Sequence, residues 1–452
     1  MEKLFNFWEI FFRAFCLKDN CIGIKMKIFK KKQIRPFGSI NLYFSSLKLS
    51  DSFLSIFYAL CAFFGLSVSR TGRKRLLQFV RDDFNAKACF LYGSGRSSLY
   101  SILKALNLGR GSEVLVTGFT CVVVPHAIMQ LGLKPIFVDI DLKTYGMDPN
   151  LVEKYITQKT KVIIIQHTFG IPADIENLLK IGRKNNLYVI EDCAVSLYSR
   201  YKGRLTGTFG DAAFFSFELS KTITSEMGGL LLVNSNRYDV INKLHKEYDS
   251  LPELRKISKT RLLLQLGLSG VLYRPVMYRL FNYLIAILFK IKIFKMSISP
   301  KETQAKMPQN YRVKLSNEQA VILARQWKCL DKLSNHSKEL AFFYYQQLQK
   351  TSYVSFPVQE LDERVLIRYP VLTRCQDALT HFFYQKNIEL GRWFGAPLGS
   401  PNIDHLLFGY HSGDCPNAEH CAANIVNLPL NCRIDNNMAT YIIKLLLSFT
   451  EQ

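Results

Sequence analysis

Acid is what this sequence is short of. Against 59 Lys and Arg it carries 36 Asp and Glu, which leaves a formal net charge of +23 over 452 residues. Such an excess calls for a partner or surface of negative sign, and nucleotide phosphates, anionic lipid and nucleic acid all qualify. Nucleic acid is the weakest of the three, because neither a recognition motif nor a basic helix interleaved with base-stacking aromatics is present. The basic residues cluster around Lys25 to Lys32, Arg70 to Arg75 and Lys290 to Lys295. Solvated lysine-rich faces account for these clusters as readily as an anionic surface does.

Other features are missing too. The 11 cysteines are odd in number and follow no repeated spacing, which argues against a disulfide framework and for free thiols in a reducing, cytoplasmic compartment. His411, Cys415, His420 and Cys421 are close in sequence but lack a paired C-x-x-C, so they read as a loop and a packed helix rather than a metal site. There is no internal repeat or low-complexity tract, and 48% hydrophobic with 21% charged residues excludes collagen-like and disordered classes. No secretory leader is read, because Glu9 and Arg13 interrupt the first apolar stretch and no small-residue cleavage site follows.

A clear membrane span is also lacking. Ser52 to Leu66 is uncharged and apolar but short for a crossing, and in Leu280 to Met296 the apolar residues alternate with lysines. Leu4, Trp8, Phe11, Phe12 and Phe15 recur at helical spacing ahead of a lysine run. Each segment reads equally as a packed helix or as one lying in a membrane interface, so peripheral contact at the inner membrane face is the most the sequence supports.

What is present is organised. The length allows one large domain with a smaller one or an insertion. From about Lys87 to Asn234, strand and helix alternate, the pattern of a mostly parallel sheet with helices on its faces. Strands are predicted at 87–92, 113–117, 135–138, 162–166, 188–191, 212–217 and 229–233, and helices at 96–106, 126–131, 150–156 and 175–185. The chain divides into an N-terminal extension (1–74), a large domain (75–250), a basic and apolar insertion or linker (251–306) and a small domain (307–452) that opens with a helix at 317–333.

Three motifs carry chemistry. Tyr92-Gly93-Ser94-Gly95-Arg96-Ser97-Ser98 joins a strand to a helix, where free amides and the helix dipole favour a phosphate. Alone it is weak, since Ser and Gly also merely cap helices. Tyr188 to Ala194 delivers Glu191 and Asp192 at a strand's C-terminal end, where open α/β sheets place ligands. One carboxylate there can pair with a protonated pyridine nitrogen. Phe214 to Lys221 sets a lysine just past an apolar strand; partly desolvated, its amine can take a lowered pKa and form a Schiff base.

These motifs, in this order, resemble the large domain of the pyridoxal-phosphate sugar aminotransferases, the DegT/DnrJ/StrS family. The similarity is carried by YGSGRSSLYSILKALNLGRGSEVLVTGFT, GLKPIFVDIDLKTYGMDPN, QHTFGIPADIENL, VIEDCA and GTFGDAAFFSFELSK. It continues more thinly through Asn310-Tyr311-Arg312, Gln319, Ala320 and CPNAEHCAANIVNLPL, covering about residues 75–240 and 307–452. The ensemble is specific, although each piece alone is not.

The resemblance implies an α/β fold, an aminotransferase-like (fold type I) large domain with a mainly parallel sheet plus a smaller C-terminal α+β domain. It implies pyridoxal 5'-phosphate as cofactor, with Lys221 carrying it and Asp192 pairing with its ring nitrogen. Gly95 and Arg96, chiefly through backbone amides, and Ser216 fall at phosphate-holding positions. Asn310 matches a residue that reaches the phosphate from a neighbouring subunit, which implies a homodimer. The implied reaction moves an amino group from a donor, commonly glutamate, to a nucleotide-linked keto sugar in glycoconjugate biosynthesis such as that of lipopolysaccharide or capsule.

Three positions depart from the pattern. Val195 stands where the family has Gln or His bonding the ring oxygen, and valine makes no such bond. Cys121 stands where an aromatic stacks on the ring. Met227-Gly228-Gly229 replaces Glu-Gly-Gly, with Glu226 displaced by one residue. They leave a second reading open, a non-catalytic or divergent member serving as a membrane-associated scaffold. The family's dehydratases have histidine in place of the lysine, so Lys221 speaks against dehydration.

Overall fold

A computed structural model describes residues 47–66, 69–274, 284–285, 287–291, 293–308, 311–349, 354–355, 363–399 and 402–449. The expected helix at Leu4 to Phe15, the start of the Leu280 to Met296 segment and the candidate Asn310 lie outside these residues.

Among the described residues, two helices, α1 (Leu49–Phe63) and α2 (Gly72–Phe84), precede the first strand. The large sheet is then laid down by β1 (Ala88–Tyr92), β2 (Glu113–Thr117), β3 (Lys134–Val138), β4 (Thr160–Gln166) and β5 (Tyr188–Asp192). A small hairpin, β6 (Arg200–Tyr201) and β7 (Arg204–Leu205), intervenes before β8 (Ala212–Ser216) and β9 (Gly229–Val233) complete it. Helices α3 (Gly95–Ala105), α4 (Val123–Met129), α5 (Pro149–Val152) and α6 (Ile175–Lys184) connect the strands.

The strand order is β1-β9-β8-β5-β4-β2-β3. The pairs β2/β3, β2/β4, β4/β5 and β5/β8 are parallel, whereas β9 runs antiparallel to both β1 and β8. β1 and β8 therefore share one direction, and the ends of β1, β4, β5 and β8 open at a single edge. Strands covered on both faces read as continuous apolar runs, and Val162 to Ile165 in β4 are buried throughout.

Helices α7 (Tyr238–Ser250), α8 (Lys256–Leu272), α9 (Asn317–Trp327) and α10 (Leu330–Leu348) follow. Ser316 and Gln319 close a reciprocal capping box at the start of α9. The expected helix over 317–333 is thus two helices, with the break at Lys328 and Cys329. A three-stranded antiparallel sheet, β10 (Val354–Ser355), β11 (Arg368–Leu372) and β12 (Ile425–Pro429), packs with α11 (Gln376–Gln385), α12 (Pro416–Asn424) and α13 (Asn436–Ser448). Residues of both sheets, among them Val116, Ile164, Tyr369 and Leu428, share one apolar cluster.

The segment after Tyr248 is not a loose connection. α8 packs along α1 through Leu263 and Leu266 against Tyr58 and Ala59. Further on, Ser297 and Glu302 reach the edge of the large sheet.

Candidate functional site

A cavity opens at the shared edge of β1, β4, β5 and β8, and Gly95, Cys121, Asp192, Ser216, Lys221 and Trp393 are among its lining. Its first wall is the turn from β1 into α3. Ser94 caps the helix, its side chain accepting from the Ser97 amide. The first amides of a helix have no intrahelical acceptor, so those of Gly95 and Arg96 remain for a ligand, and both residues line the cavity. Close approach favours glycine at 95: a Cβ there would lie 3.0 Å from Ser216 Cβ and 3.1 Å from the Phe215 carbonyl. The Arg96 side chain turns elsewhere, pairing with Glu302 and donating to the Ser297 carbonyl at 2.7 Å.

β5 ends on two acids that alternation sends to opposite faces. Asp192 lines the cavity and accepts the Ala194 amide at 2.9 Å. Burial pushes its carboxyl up to about 6, against the opposing pull of that amide, Lys221 and His167. Glu191 instead accepts from the amides of Gly207, Phe209 and Gly210 at 2.7–2.8 Å. His167 accepts the Ala173 amide on Nδ1. Its Nε2–H therefore donates to Glu191, 3.0 Å away.

His167, Glu191 and Cys193 lie close enough to hold a cation. The hydrogen bonds already engage both imidazole nitrogens and both carboxylate oxygens, so this cluster reads as a structural knot that anchors the 207–210 loop.

Lys221 follows β8. Burial holds its ammonium below the usual lysine range, and Arg368 adds to that, while Glu218, Cys121 and Asp192 pull the other way. Its Nζ lies 4.7 Å from the centre of the Trp393 ring. The loop beyond is pinned from α9: Gln319 Nε2 donates to the carbonyls of Ser225 (2.9 Å) and Met227 (2.8 Å), and Gln326 Nε2 to that of Thr224 (2.7 Å).

Within that loop Glu226 adopts a left-handed φ of 69°. Its carboxylate points away to accept from Gln265 of α8 at 2.6 Å, while Met227 faces the cavity. Cys121 and Val195 also line it, and burial pushes the Cys121 thiol up.

The structure thus brings Gly95, Arg96, Asp192, Ser216 and Lys221 to one cavity. Trp393 and Ser297 were missed from sequence, since each arrives by long-range packing and belongs to no local motif; Gln166 opens the QHTFG stretch at the end of β4 but carries no group that marks it for the site. For pyridoxal phosphate the donor set fits. Two helix-start amides and a hydroxyl face a space kept open by glycine, a buried carboxylate suits a pyridinium, and an amine of lowered pKa suits an aldehyde.

The model of the DegT/DnrJ/EryC1/StrS aminotransferase family matches residues 74–253 and 286–447, and the enzymes of this family depend on pyridoxal phosphate. GDP-perosamine synthase of Escherichia coli O157:H7 is 43% identical over 141 residues, 31% of this chain and 39% of that protein. The match therefore spans about two fifths of the relative's length. A pleiotropic regulatory protein of Geobacillus stearothermophilus is 27% identical over 362 residues, 79% of this chain and 83% of that one.

Among solved structures, DesV of S. venezuelae superposes with a TM-score of 0.68 at 19% identity, covering 92% of this chain and all of that one. Helicobacter pylori PseC, an aminotransferase, gives 0.68 at 19%, covering 90% and 98%. With the family model matched over residues 74–253 and 286–447, and the aminotransferase fold shared across nine tenths of its length, the chain belongs to the DegT/DnrJ/EryC1/StrS aminotransferase family.

Proposed function

We propose that the protein is a pyridoxal-phosphate-dependent aminotransferase that moves an amino group from a donor, glutamate, to a nucleotide-linked keto sugar in glycoconjugate biosynthesis, working in the cytoplasm as a homodimer. The observation that carries this reading is the convergence of Lys221, Asp192 and the Gly95–Ser216 cradle on one cavity. GDP-perosamine synthases, UDP- and dTDP-aminosugar transaminases among the relatives support the substrate class.

Each residue has a distinct task. The amides of Gly95 and Arg96 with the Ser216 hydroxyl would hold the cofactor phosphate, and the family resemblance assigns Asn310 of a partner subunit to the same group. Asp192, once ionised by its cationic partner, keeps the ring nitrogen protonated. Bound pyridoxal phosphate supplies an electron sink for the carbon that loses its proton. Lys221 would carry the cofactor, and its amine, when free and neutral, would be the base that takes the proton from the donor's α-carbon. Burial, which lowers the lysine's proton affinity, favours the neutral amine this transfer needs.

Addition of pyridoxal phosphate to the purified protein is expected to give a visible absorption band that L-glutamate discharges and a keto nucleotide sugar restores. Lys221→Ala should lose the band. A wild type that shows the band but accepts no nucleotide-linked keto sugar would remove the substrate class. A wild type without the band would favour the scaffold reading, for which the smaller Cys121 and the non-bonding Val195 in the cavity wall are the motivating features.

A further inference from the structure

The helix pair α1 and α8 is built inside out for a protein in water. Turned inward on α1 are Ser52, Ser55, Ala59 and Ala62, and α8 meets them with glycine. A Cβ on Gly267 would lie 2.7 Å from the Ser52 carbonyl, and one on Gly270 2.1 Å from Ser52 Oγ. Small residues thus bring the two backbones close, with Tyr58, Leu263 and Leu266 packed between them.

Large apolar residues point outward. Leu49, Phe53, Phe57, Leu60 and Phe64 fall at the spacing of one helical face and run from 41% exposed at Leu49 to 70% at Phe64. Phe63 and Leu66 extend the stripe, and Leu284, Ile287 and Ile291 add exposed apolar surface in a segment that packs on the end of α8. Water penalises such a continuous patch. Small residues between helices and large ones outside are the arrangement that suits a lipid surround.

Charge selects the occupant. The sole acid between Leu47 and Leu66 is Asp51, buried and paired with Arg325. From Leu254 to Lys301 the sequence has ten Lys or Arg and no Asp or Glu. Exposed Lys48 precedes one end of the stripe, and Lys256 lies beside Gly65 at the other. A second copy of the chain would bring like charges together, whereas anionic headgroups complement them.

No helix among the described residues is long and apolar enough to cross a membrane. We propose that the outward face of α1, together with the exposed Leu284, Ile287 and Ile291, docks on an anionic lipid bilayer, its Phe and Leu side chains entering the acyl boundary and its lysines facing headgroup phosphates. This holds whether or not the enzyme reading does, because none of these residues belongs to the cavity.

The test is sedimentation of the full-length, detergent-free protein with vesicles of phosphatidylcholine alone or mixed with phosphatidylglycerol. Binding is expected on the mixed vesicles, weakening as salt rises. Phe53→Ser/Phe57→Ser/Leu60→Ser should partition at least about tenfold more weakly while unfolding at the same temperature as the wild type. No wild-type binding, or equal binding by the variant, overturns the proposal. So does a lower unfolding temperature in the variant, which would mean that the chain's own residues cover the stripe. Loss of self-association in the variant without any vesicle binding overturns it in favour of a second copy.

Discussion

Lys221 Nζ stands 4.7 Å from the centre of the Trp393 indole, and the Arg368 guanidinium carbon lies 3.8 Å from the centre of the same ring. One aromatic thus contacts two basic side chains at a cavity that Cys121 also lines. Cation–π contacts contribute roughly 0.5–2 kcal/mol. The Trp393 contact favours the Lys221 ammonium over the neutral amine that reacts with an aldehyde, so Trp393→Ala is expected to lower the pH midpoint of pyridoxal phosphate binding by about 0.4–1.5 units at 1.36 kcal/mol per unit, and Trp393→Phe by less. Cofactor titration across a pH series, followed by absorbance, reads both; equal effects in the two variants would assign Trp393 a packing role only.

Asp192 makes stability depend on pH in an unusual direction. Its folded pKa, about 6, lies above the 3.8 of an ordinary aspartate. Between those values the native state binds more protons than the unfolded state, so without cofactor the group's contribution to stability falls as pH rises through that window. The loss is complete above the folded value and amounts to about 3 kcal/mol, taking 1.36 kcal/mol per unit. Asp192→Asn should accordingly unfold at higher urea than wild-type apoprotein at pH 7, and the gap should close towards pH 4. A pH-independent gap would show that the carboxyl is not buried as described. The same variant should bind pyridoxal phosphate poorly.

How much of this was readable beforehand depended on the range of the interactions. Strands such as Glu113–Thr117 and Gly229–Val233 match their expected limits, because apolar runs bounded by turns are local signals. α4 was expected at 126–131 but is Val123–Met129; Val122 precedes it in helical geometry with no side-chain cap to mark the start. The break between α9 and α10 carries neither glycine nor proline. Gly95, Asp192 and Ser216 were legible because each ends a strand or starts a helix, and Lys221 because it stands a few residues past an apolar strand. Trp393 and the Arg96–Glu302 pair were not, since residues 206 apart in sequence leave no periodic trace.

The knot beneath the cavity gives a third expectation. His167 and Glu191 are fully buried, and Glu191 also holds three loop amides. Removing one partner strands the other's polar groups, a loss of about 3–5 kcal/mol for a buried pair. Glu191→Ala should lower the unfolding midpoint far more than Glu176→Ala, whose salt bridges to Lys180 and Lys202 are exposed and screened by solvent. Calorimetry or urea unfolding decides; equal midpoints for the two variants would mean that the knot does not bear on stability.

The last expectation separates backbone approach from side-chain bonding in the cradle. A Cβ on Gly95 would press on Ser216 Cβ and the Phe215 carbonyl, 3.0 and 3.1 Å away, so α3 must shift from β8 by a few tenths of an ångström. Overpacking of this kind costs about 1–3 kcal/mol, and it displaces the two amides from the hydroxyl at once. Ser216→Ala removes one hydrogen bond of about 0.5–1.5 kcal/mol and leaves the approach intact. Gly95→Ala should therefore weaken pyridoxal phosphate binding more than Ser216→Ala does, with pyridoxal lacking the phosphate affected by neither. If Ser216→Ala proves the more damaging, the hydroxyl rather than the helix start holds the phosphate, and the cradle's geometry matters less than its chemistry.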